Sequence, residues 1–166
     1  MSIFNQQDEK FSDDVWDFIN EGGTLKDIHS IPDEAMDGMY AHAYNFYKKG
    51  QLDDAETFFR FLCMYNFYNP EYFFGLAAVY QLKKNYQKAC DLYAVAFAMM
   101  KDDYRPVFFS GQCQLLMGNK PVARNCFSLV CEQSKDPIMV SKSEAYLKVM
   151  SYNDADSESK TDKTDT

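Results

Sequence analysis

Apolar and small residues recur along this chain with two superimposed periods. Within short segments they return every three or four positions, which predicts amphipathic helices. Over longer distances four columns repeat at an interval of 34 residues. The columns are Ala43, Ala77, Gly111; Ala55, Ala89, Ala123; Phe59, Tyr93, Phe127; and Leu62, Ala96, Val130.

A period of 34 residues is that of the tetratricopeptide repeat (TPR), a helix–turn–helix whose small residues let helix A pack closely on helix B. Lys, Gly and Asn interrupt the apolar pattern at 49–51, 83–85 and 118–120, where we expect the turns from helix A to helix B. All five prolines lie near predicted helix starts, where the missing N–H costs no hydrogen bond. The predicted fold class is all-α: three tandem TPR repeats in a right-handed superhelical solenoid, with an N-terminal helix and a C-terminal capping helix.

The same pattern predicts how the chain is divided. The N-terminal helical region carries Val15, Trp16 and Ile19 on or beside one apolar face. The last segment, SYNDADSESKTDKTDT, has few apolar residues and is predicted to be disordered. The predicted segments are a flexible N-terminus (1–10), the N-terminal helical region (11–35), the three repeats (36–69, 70–103 and 104–137), the capping helix (138–150) and the acidic tail (151–166).

Each A helix has one face that the packing of the repeat leaves over. Helix positions are counted from the first residue of each repeat, which is Met36, Pro70 or Tyr104. Positions 4, 8 and 11 are assigned to packing, so positions 5, 9 and 12 are expected to face a concave groove. The predicted groove residues are Tyr40, Tyr44, Tyr47, Phe74, Ala78, Gln81, Phe108, Gln112 and Leu115. Tyrosine hydroxyls favour a partly solvent-exposed groove surface, and such a surface suits an extended apolar peptide. The alternative is that these aromatic rings fill the interior of a tightly wound superhelix.

Charge and motif content exclude several classes of function. Seventeen basic and 25 acidic residues give a net charge of −8, which disfavours nucleic acid and anionic membranes as partners. The five cysteines form no CxxC pair and are expected to be buried, reduced thiols, so no metal is predicted. His42 is interpreted as a packing residue of the first A helix, and no catalytic or nucleotide-binding motif occurs. We therefore expect a protein that is not an enzyme and needs no cofactor.

No transmembrane segment or secretion signal is seen in the sequence, since the N-terminus is polar and acidic. The expected location is the cytoplasm.

Three stretches resemble one bacterial family closely. They are GGTLKDIHSIPDEAMDGMYAHAYNFYKKGQLDDAETFFRFLC, GLAAVYQLKKNYQKACDLYAVAFA and DYRPVFFSGQCQLLM. The chain resembles the class II type III secretion chaperones, the IpgC/SicA/SycD family, from about Trp16 to Leu147. Within the family it is most similar to the IpgC/SicA branch.

The resemblance implies a cytoplasmic chaperone of a Gram-negative bacterium. Such proteins hold the two hydrophobic translocator proteins of a type III secretion system soluble and apart before export. They bind an extended N-terminal segment of the translocator, of the P-x-L-x-x-P kind, in the concave groove. Tyr40, Tyr44 and Tyr47 fall on the family's groove tyrosines.

Two further properties of the family carry over as expectations. SicA-like members, once free of cargo, act as co-activators of an AraC-type transcription regulator. Several members form homodimers through the N-terminal helical region, for which Val15, Trp16 and Ile19 are the candidates here. Two alternatives remain: a general TPR scaffold for protein–protein interaction, and a protein whose main role is transcriptional co-regulation.

Overall fold

The helices of this chain follow the predicted A and B order. A computed structural model describes residue 15 and residues 17–161, with side chains as far as residue 152, and this described part contains no strand. The helices are α1 (Leu25–Ile28), α2 (Asp33–Lys48), α3 (Leu52–Tyr65), α4 (Pro70–Leu82), α5 (Tyr86–Met99), α6 (Arg105–Leu116), α7 (Lys120–Gln133) and α8 (Pro137–Thr161). Residues 15 and 17–20 are also helical.

The chain divides into two compact units, Met1–Asn69 and Pro70–Thr166. In the first unit, helix α2 packs against α3. In the second, α4 to α8 each pack against the next helix along the chain. The expected all-helical TPR fold class is confirmed, with helix pairs α2–α3, α4–α5 and α6–α7 in the places of the three predicted repeats.

The three turns from helix A to helix B have the same construction, at the positions predicted for them. In each turn the second residue after the helix has a left-handed backbone, with φ of 73° at Gly50, 60° at Lys84 and 84° at Gly118. The amide of the following residue then donates to a carbonyl five residues earlier, over 3.0, 2.9 and 2.8 Å. This is the Schellman arrangement, in which glycine avoids a steric penalty of roughly 1–2 kcal/mol that Lys84 bears.

Prolines and a side-chain cap fix where the helices begin. All five prolines lie at a helix start, as predicted: Pro32, Pro70, Pro106, Pro121 and Pro137. Asp136 caps α8, because its carboxylate accepts hydrogen bonds from the amides of Ile138 at 2.9 Å and Met139 at 3.4 Å.

The repeated columns form the core. Every residue of the four 34-residue columns is buried. Alanine or glycine lets the paired helices approach, and the aromatic column fills the space beside them. The sequence period therefore marks the buried positions of each helix pair.

The last helix extends beyond the predicted boundary. Because apolar residues become scarce after residue 150, the sequence predicted that the capping helix ends there and a disordered tail follows. In the structure, α8 continues to Thr161. Residues 151–161 contain no glycine or proline to end the helix, so the helical backbone continues. The predicted flexible segment 1–10 and residues 162–166 lie outside the described residues.

Gly111 marks the closest approach of α6 to α7. A Cβ at this position would lie 2.9 Å from Cε1 of Phe127 and 3.0 Å from Cβ of Cys126. Both partners are held by the core, so we expect Gly111→Ala to lower the free energy of unfolding by about 1–3 kcal/mol. Urea denaturation followed by circular dichroism measures this effect.

Gly38→Ala is the matched control for Gly111→Ala. Gly38 also lies inside a helix, but a Cβ there would have no neighbour within 4 Å. This variant is expected to raise the free energy of unfolding by about 0.5–1 kcal/mol, because alanine loses less backbone entropy in a helix. Stabilisation by both substitutions would show that the space beside Gly111 is not limiting.

Candidate peptide-binding site

The exposed face of α2 carries a stacked pair of tyrosines. The rings of Tyr44 and Tyr47 lie 6.3 Å apart with 22° between their planes. Tyr44 is 48% exposed, and Nζ of Lys48 lies 5.2 Å from its ring centroid. Burial, and then the neighbouring Tyr44, raise the pKa of Tyr47, so its hydroxyl stays protonated and can donate a hydrogen bond. The pair provides a flat aromatic surface with polar edges, which suits an extended peptide.

Tyr40 has a different environment from the other two tyrosines of its trio. Its ring meets the buried ring of Phe59 edge to face at 5.9 Å, and the side chain is half-buried. The structure therefore brings Tyr44 and Tyr47 together and places Tyr40 against α3.

In the second unit, Phe74 lies at the centre of an aromatic cluster. Its centroid is 5.4 Å from that of Tyr93 and 5.7 Å from that of Phe109. The Cζ atom of Arg105 lies 4.9 Å from the centroid of Phe74, within the range of a cation–π contact. Phe74 and Ala78 are both half-buried, as expected for the wall of a site.

Arg105 is held in place by two carboxylates. Its Nη2 atom lies 2.7 Å from Oδ2 of Asp103 and 2.6 Å from Oε1 of Glu71. Hydrogen bonds to Asp103 and then Glu71 raise the pKa of Arg105 against the opposing effect of burial. Burial alone would raise the pKa of Asp103, but the guanidinium outweighs it and lowers the pKa. This ion-pair group fixes the cation above the aromatic ring.

The predicted glutamines belong to one chain of hydrogen bonds. Tyr93 Oη donates to Oε1 of Gln81 over 2.8 Å, and Nε2 of Gln81 donates to Oε1 of Gln112 over 3.2 Å. Nε2 of Gln112 then donates to Oη of Tyr146 over 2.9 Å. The chain joins α5, α4, α6 and α8 across the second unit. Gln81 and Gln112 are thus positioned by protein partners.

Phe108 does not offer a surface to a ligand. It is only 2% exposed, and its ring meets those of Phe127 at 5.7 Å and Tyr146 at 5.8 Å. The prediction that it faces the groove is wrong, because α7 and α8 close over this position. Leu115, the last predicted residue, is half-buried and lines an apolar cavity.

Sequence reasoning missed Phe109 and Arg105. Phe109 stacks on Tyr93, with their ring centroids 5.8 Å apart. The equivalent positions 41 and 75 of the preceding repeats hold alanine and glycine, so no repeated aromatic residue marked this position in the sequence. Arg105 had a usable signal. It pairs with Glu71, which is 34 residues earlier, and equivalent positions of successive repeats are neighbours in a TPR array.

The predicted packing role of His42 is wrong. The side chain is exposed on α2, with its ring 6.3 Å from that of Phe58. Position 42 is next to the buried Ala43, and the helical rotation of one residue carries it out of the core.

The five cysteines are free thiols, and the predicted burial holds for three of them. Cys63, Cys90 and Cys113 are buried, and Cys126 and Cys131 are half-buried. Burial raises the pKa of Cys63 to about 12, so this thiol is protonated at neutral pH. Among the described side chains, no group of three His, Cys, Asp or Glu could hold a metal ion. Over the same residues, no helix has both the length and the apolar surface needed to cross a bilayer.

The helix pairs, with turns of the same construction, define a tetratricopeptide repeat protein. The family model described as "Tetratricopeptide repeat" matches residues 36–69 and 70–103. The chaperone protein SicA of Salmonella typhimurium is 56% identical over 159 residues, which cover 96% of each chain. This chain belongs to the class II type III secretion chaperones, in the IpgC/SicA branch. SicA and SycD are named as chaperones, and this chain, as a member of their family, is not an enzyme.

Solved structures agree with this assignment. The type III secretion translocator chaperone SycD of Yersinia enterocolitica is 25% identical, with a TM-score of 0.72 over 76% of this chain and 98% of that one. PcrH in complex with the chaperone binding region of PopD is 26% identical, with a TM-score of 0.69 over 75% and 96%. PcrH in complex with the chaperone binding region of PopB is 28% identical, with a TM-score of 0.64 over 69% and 96%.

Proposed function

We propose that this chain is a cytoplasmic chaperone that binds an extended N-terminal segment of hydrophobic translocator proteins. It keeps two such translocators of one type III secretion system soluble and apart before export. The observation that carries the proposal is the stacked pair of exposed Tyr44 and half-buried Tyr47 on α2, at positions predicted for peptide contact. The binding of PopD and PopB regions by PcrH supports it.

Each unit supplies a surface of the required chemistry. In the first unit, the stacked tyrosines offer aromatic faces for apolar side chains and hydroxyls for peptide backbone groups. In the second unit, Phe74 and Ala78 offer apolar surface beside the glutamines. A peptide held in this way is sequestered without any chemical step, and the contacts are reversible, as export of the cargo requires.

The net charge of −8 contributes to this function. A translocator carries long apolar segments that would otherwise aggregate or enter a membrane. An acidic carrier keeps the complex soluble and is repelled by anionic lipid surfaces.

Two further roles are part of the proposal. Once free of cargo, the chain acts as co-activator of an AraC-type transcription regulator, as the resemblance to SicA-like members of the family implies. It forms a homodimer through the N-terminal region, for which half-buried Val15 and Ile19 are candidates and Trp16 lies outside the described residues.

Co-expression with a translocator of the same secretion system tests the proposed function. We expect the translocator to be insoluble alone and to move into the soluble fraction with this chain, as a complex that survives gel filtration. A translocator without its N-terminal chaperone-binding segment is the matched control and should stay insoluble. Equal solubility of the intact and shortened translocators would contradict binding through that segment and favour a general scaffold.

A further inference from the structure

Helix α8 occupies the place of a fourth A helix. Tyr146 is 34 residues after Gln112, and Val149 is 34 residues after Leu115. The hydrogen bond from Gln112 to Tyr146 joins equivalent positions of α6 and α8, as the ion pair of Glu71 with Arg105 joins equivalent positions of α4 and α6. The register of the A helices therefore continues into a helix predicted only as a cap.

An apolar cavity lies between the C-terminal end of α6 and the middle of α8. Its volume is about 280 Å³, and its lining residues are Leu115, Lys120, Ala145, Tyr146, Val149 and Met150. Met150 is buried, whereas Val149 is 59% exposed, so the cavity has a closed floor and an open mouth. The ring of Tyr146 is fixed by stacking on Phe127 at 4.6 Å and by its bond to Gln112. The wall is therefore preformed.

We propose that this cavity binds an aliphatic side chain of the extended translocator segment, and that Tyr146 and Val149 are cargo-contact residues. The inference rests on the proposed function and names one subsite of it. The cavity lies just below the size range of small-molecule pockets, which suits a single side chain. Leu115, a predicted groove residue, forms one of its walls, and Tyr146 is hydrogen-bonded to a second predicted groove residue, Gln112, so the cavity adjoins positions proposed to bind peptide.

The lining determines which side chains fit. Carbon surface from Leu115, Ala145, Val149 and Met150 favours leucine, isoleucine, valine or methionine. Lys120 is the charged residue of the lining, and its ammonium disfavours a basic side chain. A carboxylate on the peptide would lose hydration that the carbon surface of the lining does not replace.

Fluorescence anisotropy with a labelled peptide tests the subsite. The probe is a fluorescein-labelled peptide that spans the N-terminal chaperone-binding segment of a translocator from the same secretion system. Val149→Asp places a carboxylate at the exposed mouth of the cavity, so we expect the fold to be retained and the Kd to rise about tenfold or more. Val122→Asp is the matched control, because Val122 is 47% exposed on α7 and does not line the cavity.

A second series identifies the occupant. Each aliphatic residue of the probe is replaced in turn by alanine, and each peptide is titrated against the wild type and Val149→Asp. At one position of the peptide, the substitution should weaken binding to the wild type but weaken binding to Val149→Asp little further. Such non-additivity is expected of two groups in contact. Additive losses at every position would overturn the proposal.

Other outcomes separate the subsite from the proposed function. Unchanged affinity in Val149→Asp together with weak binding by Tyr47→Ala would reject the subsite and leave the proposed function standing. Failure of the wild type to bind the probe would reject both. If light scattering shows that Val149→Asp alters the oligomeric state but not the Kd, the cavity is a contact between copies of this chain and the proposal is overturned.

Discussion

Replacing Phe127 by alanine is expected to lower the free energy of unfolding by about 3–5 kcal/mol. The side chain is fully buried, with rings of Tyr146 at 4.6 Å and Phe108 at 5.7 Å. Its removal leaves a cavity among aromatic neighbours that are held by α6 and α8 and have little room to close the gap. Urea denaturation monitored by circular dichroism and by tyrosine fluorescence measures the loss.

Leu129→Ala provides the control for Phe127→Ala. Leu129 lies on the same helix but is 38% exposed, so its truncation removes less packing and is expected to cost less than about 1 kcal/mol. Similar costs for the two variants would contradict the assignment of Phe127 to the core of the second unit.

Tyr47→Ala is expected to weaken binding of an extended translocator peptide about 5- to 30-fold, which corresponds to about 1–2 kcal/mol. The substitution removes one of two stacked rings and exposes the other to water. Tyr47→Phe keeps the ring and loses only the hydroxyl, so its affinity should lie between those of the wild type and Tyr47→Ala. Anisotropy titration gives the three Kd values.

Tyr68→Ala is the matched control for this series. Tyr68 is an exposed tyrosine of the same unit, and it follows α3 in the connection to α4. Its removal should leave the Kd unchanged. All variants should first show wild-type helicity, since a loss of helix in Tyr47→Ala would mean that the residue acts through folding. Equal affinity of Tyr47→Ala and the wild type would place Tyr47 outside the site.

The sequence predicted those parts of the fold that repeat. Each helix pair buries the same four columns, so a 34-residue interval identified the core, the pairing of helices and the positions of the turns. The position of Lys84 shows the strength of this signal. It takes the left-handed turn conformation of Gly50 and Gly118 although it is not a glycine.

Features that break the repeat were not predictable in this way. Phe108 has the register of a groove residue, but the ring of Tyr146 on the next helix covers it. That ring could not be placed from the sequence, because the segment after residue 137 lacks a B helix to confirm its register. Phe109 fills space that alanine and glycine leave open in the preceding repeats, so its role depends on tertiary packing.

Binding of an extended apolar segment of a translocator is the property from which the proposed function follows. The most direct measurement is a fluorescence titration of the purified protein with a labelled P-x-L-x-x-P peptide from such a segment, beside a scrambled peptide of the same composition. We expect saturable binding of the first peptide and at least tenfold weaker binding of the second, since the order of side chains must match the site. Equal affinity for both peptides, or no binding of the first at high micromolar concentration, would contradict the proposed function.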